Sequence, residues 1–104
     1  HHLLDDERIA RLPEGAIVVN IARGNVVKDD ALIAALRSGK VRAAGLDVFT
    51  NEPDLDARYY DLPNAFILPH IGSSTIEARE GMARILLDAF DAVERGQSAS
   101  NLLA

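Results

Sequence analysis

The period of the apolar positions changes several times along this chain, and each change predicts an element. "DDERIARL" (5–12) places two acids ahead of a short run with helical spacing, which predicts a short helix with negative charge in its first turn. "PEG" ends it. "AIVVNI" (16–21) is β-branched and nearly all apolar, which predicts a strand buried on both faces of a parallel sheet. "RGN" follows as a turn. "KDDALIAALRSG" (28–39) predicts a helix: Asp29 and Asp30 sit in its first turn, Leu32, Ile33 and Leu36 form its apolar stripe, and Gly39 suits its C-terminal cap. "RAAGLDVF" (42–49) predicts a second strand, with small residues that allow close packing, and "AFILP" (65–69) a short third one. Between them "TNEPDLDARYYDLPN" (50–64) is an irregular polar loop, in which Tyr59 and Tyr60 are expected to pack or form a lid.

From about Ser74 to about Arg95 the pattern predicts a long helix. Ser74 with Glu77 forms a capping box, and Met82, Leu86, Ala89, Phe90 and Val93, widened by Ala83 and Ile85, predict a buried stripe. Gly96 closes the helix, and the apolar end of "QSASNLLA" is expected to dock.

Strands alternating with helices predict an α/β fold: a parallel sheet with flanking helices and right-handed crossovers. Ligands of such sheets bind beyond the carboxyl ends of the strands. The first strand ends in Asn20-Ile21-Ala22-Arg23-Gly24, the second in Asp47 with Glu52-Pro53 beyond it, and the third in Pro69-His70-Ile71-Gly72. One edge of the sheet therefore collects an arginine, two acids and a histidine.

Composition narrows what that edge serves. The chain has 104 residues, 48% apolar and 26% charged, with a net charge of −5, enough for one compact domain. Lys and Arg are scattered, which argues against a nucleic-acid face or a polybasic membrane patch. No apolar run approaches the ~20 residues that cross a bilayer, and the opening "HHLLDDERIA" lacks the basic head and apolar core of a signal peptide. Without cysteine there is no disulfide, no thiolate nucleophile and no cysteine-based zinc site, which fits a reducing, cytoplasmic setting. No metal site is expected.

Each of these polar residues taken alone is ordinary: surface arginines, loop glutamates and structural histidines are common. Their shared position at the strand ends is what points to chemistry. An arginine's planar fork matches a carboxylate and keeps its charge. A histidine exchanges a proton near neutral pH, and a nearby glutamate favours and orients the imidazolium. Together they suit a substrate with a carboxylate beside a carbonyl. None of them supplies a hydride, so a nicotinamide cofactor would have to, with Asp47 as an acceptor for its carboxamide.

"GAIVVNIARGNVVKDDALIAALRSGKVRAAGLDVFTNEP" followed by "LPNAFILPHIGSST" closely resembles the D-isomer-specific 2-hydroxyacid dehydrogenase family over about residues 1–95. The resemblance implies a Rossmann-like sheet, present here as a partial domain. Residues 1–95 would be the C-terminal half of the dinucleotide-binding domain, with the helix of about 74–95 included, and 96–104 a tail returning toward a substrate domain. It implies Arg23 as the substrate-binding arginine, Glu52 as the partner of the catalytic histidine and His70 as the general acid/base. Cofactor contacts fall on Ile21, Ala22, Arg23, Asp47, His70, Ile71 and Gly72, for NAD or NADP.

"YYDLPNAFILPHIGSS" is most similar to the glyoxylate and hydroxypyruvate reductase (glycerate dehydrogenase) branch, with a small 2-keto acid as substrate and a homodimer as the full-length state. The Gly-x-Gly-x-x-Gly turn of such domains is absent from these residues, so the chain on its own is expected to be inactive. The alternative is a dinucleotide-sensing, corepressor-like interaction protein of the same fold.

Overall fold

The computed structural model describes residues 2–101. They form two compact units that divide between Ile71 and Gly72. The first unit runs α1 (Asp6–Arg11), β1 (Ala16–Asn20), a 3-10 turn (Gly24–Val26), α2 (Asp29–Ser38), β2 (Val41–Leu46), a second 3-10 turn (Ala57–Asp61) and β3 (Ala65–Ile67). The strands are parallel in the order β1-β2-β3, so β2 is central. Val18 pairs with Ala44, Asn20 with Leu46, and Leu46 with Ile67. These registers bring the three carboxyl ends together at one edge.

Local chemistry sets the element ends. Asp5 caps α1 by accepting from the Arg8 N–H at 2.9 Å. Gly39 closes α2 in the left-handed region at φ 81°, which a side chain would disfavour. The core lies between α2 and one face of the sheet: Leu32, Ile33, Leu36, Val41, Val18, Ala44 and Leu46 are all buried. Full burial of an aliphatic side chain such as Leu32 contributes about 1.5–3 kcal/mol.

The other face of the sheet corrects the expectation for β1. Ile17 and Val19 point away from α2 and are exposed, as is Phe66 on β3. The all-apolar run predicted two covered faces; within this chain α2 covers one, and the period of two along the strand sends alternate side chains to the uncovered one.

In the second unit α3 spans Ile76–Glu94. Its N-cap is Thr75, whose hydroxyl accepts from the Ala78 N–H at 3.1 Å, rather than Ser74, whose hydroxyl accepts from Arg79. Gly96, at φ 70°, follows the C-cap Arg95. The stripe of Met82, Leu86, Phe90 and Val93 is present at helical spacing, yet α3 has no buried residue, so the predicted burial of this stripe is not met within the chain. The docking of the apolar end at Leu102–Ala104 lies outside the described residues.

Candidate active site

β1 delivers the arginine through a side chain that holds its own loop. Asn20 is buried, its Oδ1 accepts from the Ala22 N–H at 3.2 Å, and its Nδ2 donates to the Arg23 carbonyl at 3.0 Å. A buried amide on the core face of a strand is costly unless bonded; here both ends of it shape the turn that presents Arg23. The exposed Arg23 donates from Nη1 to the Ala22 carbonyl at 2.6 Å and makes no ion pair among the described residues. Its charge is therefore available to an anion.

β3 delivers the histidine. His70 has φ 54°, a left-handed backbone that costs a non-glycine residue about 1–2 kcal/mol. The next residue is pinned from β2: Asp47, 3% exposed, accepts from the Ile71 N–H through Oδ1 at 2.8 Å. The Asp47 N–H in turn donates to the Asn20 carbonyl at 3.0 Å, tying the first two strand ends together. A buried carboxylate bonded to main chain is a strong anchor, and this one holds the turn on which His70 stands.

The 50–64 loop delivers the glutamate. Glu52 accepts from the Phe49 N–H through Oε1 at 2.7 Å, and its Oε2 lies 2.6 Å from His70 Nδ1. With Nδ1 donating to the carboxylate, Nε2 is the ring nitrogen left for exchange with a ligand. His70 first, and then the Phe49 N–H, holds the Glu52 carboxyl below its ordinary value of 4.5. A carboxylate more acidic when folded than when unfolded stabilises the fold fully above that ordinary value, and its contribution is lost as pH falls through the lowered one. Glu52→Gln keeps the shape and removes the charge. It is expected to lower kcat of the full-length protein, because the imidazole loses the carboxylate that orients it. A kcat identical to that of the parent would contradict the pairing.

Arg23, Glu52 and His70 line one cavity of about 510 Å³, together with Phe49 and Thr50. The Glu52–His70 pair also borders a second cavity of about 320 Å³, whose other walls include Phe49, Pro53, Leu55 and Tyr60. The Glu52–His70 pair thus stands between an arginine-bearing cleft and a largely apolar one. Ile21 and Ala22 are exposed just beyond β1, and Ile71 is exposed just beyond β3. Gly72 is exposed and belongs to the second unit.

One residue that shapes this site, Asn20, was not among the predicted site residues; its position as the one polar residue inside an apolar strand is the signal that could have found it.

Residues 1–72 match the family described as D-isomer specific 2-hydroxyacid dehydrogenase, NAD binding domain. The chain belongs to this family. It is 50% identical to a glycerate dehydrogenase of Hyphomicrobium methylovorum, over 92% of this chain and 30% of that protein. It is 48% identical to a glyoxylate/hydroxypyruvate reductase B of Pectobacterium atrosepticum, over 97% of this chain and 32% of that protein. Among solved structures, a D-isomer specific 2-hydroxyacid dehydrogenase from Xanthobacter autotrophicus in complex with NADPH and MES superposes with a TM-score of 0.83 at 38% identity, over 99% of this chain and 42% of that one. The chain spans about a third of the length of the curated relatives it matches.

Membership in an NAD-binding family is consistent with the strand ends. Exposed Ile21, Ala22 and Ile71 offer apolar surface on either side of the end of β2, beside the hydrogen-bonding groups of Arg23 and His70. Such a surface suits a flat ring with one polar substituent.

Proposed function

We propose that the full-length protein carrying this segment is an NAD(P)-dependent D-2-hydroxyacid dehydrogenase that reduces a small 2-keto acid, glyoxylate or hydroxypyruvate, to the corresponding 2-hydroxy acid, the D isomer where the new carbinol carbon is stereogenic. The observation that carries this reading is the cavity shared by Arg23, Glu52 and His70, with Glu52 Oε2 2.6 Å from His70 Nδ1. Arg23 binds the substrate carboxylate with its fork of donors and polarises the adjacent carbonyl. His70, charged and oriented by Glu52, gives the proton from Nε2 to the carbonyl oxygen as the carbon is reduced, and takes it back in the reverse direction. Bound NAD(P)H supplies the hydride. Ile21, Ala22 and Ile71 at the strand ends would hold its nicotinamide half, with Asp47 as the proposed acceptor for the carboxamide. The names of the relatives in Hyphomicrobium and Pectobacterium support the substrate class. The protein is read as a cytoplasmic homodimer; among the described residues no helix is long and apolar enough to cross a membrane.

The test is oxidation of NADH and of NADPH by the full-length protein with glyoxylate and with hydroxypyruvate. Turnover with either pair is the expected result. No turnover, with nucleotide still altering association with a protein partner, would favour the corepressor-like alternative. Arg23→Ala is expected to raise KM for the keto acid and to lower kcat/KM by roughly 10²-fold, the loss of one charged, bidentate contact being about 2–3 kcal/mol. Unchanged dependence on keto acid concentration would remove Arg23 from its role.

A further inference from the structure

The loop that carries Glu52 is fastened to the start of α2 at two points. Tyr59 donates from its hydroxyl to Asp29 Oδ1 at 2.8 Å, and Arg58 donates to Asp30 Oδ1 at 2.6 Å while also pairing with Asp56. Tyr59 is 2% exposed, and its ring meets the ring of Phe49 edge to face, with centroids 5.8 Å apart at 65°. The main-chain N–H of Phe49 is the group that holds Glu52 Oε1, and the other oxygen of Glu52 faces His70. An unbroken series of contacts therefore runs from α2 through Tyr59, Phe49 and Glu52 to the imidazole.

We infer that Tyr59, anchored by its hydroxyl to Asp29, is a positioning residue that sets the main chain of Phe49 and thereby fixes the Glu52 carboxylate against His70. An apolar ring could fill the same space, but it would not be tied to the start of α2. The hydroxyl bond to Asp29 supplies that tie, and a buried phenol needs such a partner. Burial first, and then the bond to Asp29, pushes the Tyr59 hydroxyl far above its ordinary range, so it remains a donor wherever the protein is folded. The charged groups that face Glu52 are His70, Asp47 at the end of β2, and Arg23 across the shared cavity. Asp29, Asp30, Asp56 and Arg58 stand on the α2 side of Tyr59. The meaning of this for catalysis rests on the function proposed above; the geometry of the relay does not.

The test follows the Glu52 carboxyl carbon by ¹³C NMR against pH in the full-length protein, with the signal assigned by its absence in Glu52→Gln. Tyr59→Phe keeps the ring and removes the anchor; it is expected to raise the Glu52 titration midpoint toward the ordinary carboxylate value. Asp29→Asn keeps an acceptor and is expected to leave the midpoint at its wild-type position. Should Tyr59→Phe fail to fold, Asp29→Ala removes the same bond and carries the same expectation. A wild-type midpoint in the variant lacking the bond overturns the inference. In steady-state kinetics Tyr59→Phe should lower kcat while leaving KM for the keto acid unchanged. Absence of keto acid turnover in the unmutated protein would strike at the proposed function, while the midpoint comparison would still decide the relay.

Discussion

Replacing His70 with alanine is expected to lower kcat by about 10²- to 10⁴-fold, the usual worth of a general acid/base, while nucleotide affinity stays close to that of the parent. The imidazole is the one group in the arginine-bearing cavity that both exchanges a proton near neutral pH and has a carboxylate 2.6 Å away to orient it. Neither Arg23 nor a water molecule taking the vacated space gives up a proton as readily. The exposed Ile21, Ala22 and Ile71, against which the nicotinamide is proposed to lie, are untouched by removing the ring. Asp47 still holds the Ile71 N–H, so the turn is expected to keep its shape. The measurement is kcat together with the NAD(P)H dissociation constant for the full-length variant. A kcat within about threefold of the parent, well short of what a proton donor contributes, would show that the proton comes from elsewhere.

The fold and the candidate site were unequally visible in the sequence. Parallel strands alternating with helices follow from apolar periodicity, and the C-cap at Gly39 from its position after the last apolar residue of α2. Both are local signals. The burial of β1 and of the α3 stripe was misjudged because composition shows that a surface is apolar and not what covers it: Ile17, Val19, Leu86 and Phe90 have the character of core residues and stand exposed in this chain. At the start of α3 two adjacent hydroxyl residues both suit a cap, and only the backbone path selects Thr75 over Ser74. For the site, the sequence placed Arg23, Glu52 and His70 at strand ends, and the family resemblance assigned their roles. That they line one cavity depends on strand register and on the loop path, which no local pattern encodes. Tyr59 was read as a packing residue, which it is. Its bond to Asp29, thirty positions away, is a product of tertiary structure.

Gly24→Ala is expected to destabilise the protein by about 3 kcal/mol or more, beyond the usual cost of an overpacked methyl group, and to abolish measurable turnover. A Cβ at this position would lie 2.0 Å from the Phe49 carbonyl carbon, 2.1 Å from its oxygen and 2.3 Å from the Thr50 nitrogen. All three are main-chain atoms, so no side-chain rotation relieves the clash, and the Arg23–Gly24 turn would have to part from the Phe49–Thr50 strand exit. These two segments carry opposite walls of the candidate cavity: Arg23 stands on one, and the other, through the Phe49 N–H, holds Glu52. Separating them would draw the arginine away from the Glu52–His70 pair. Gly39→Ala provides the contrast. Its Cβ would meet nothing within 4 Å, and its difficulty is only the backbone angle of 81°, worth about 1–2 kcal/mol, with turnover retained because the cap lies at the far end of α2 from Asp29. Chemical denaturation and steady-state kinetics of the two full-length variants separate a steric requirement at the site from a conformational one outside it. Wild-type stability in Gly24→Ala would show that the two segments are free to move apart, and the cavity would then owe its shape to something other than their close approach.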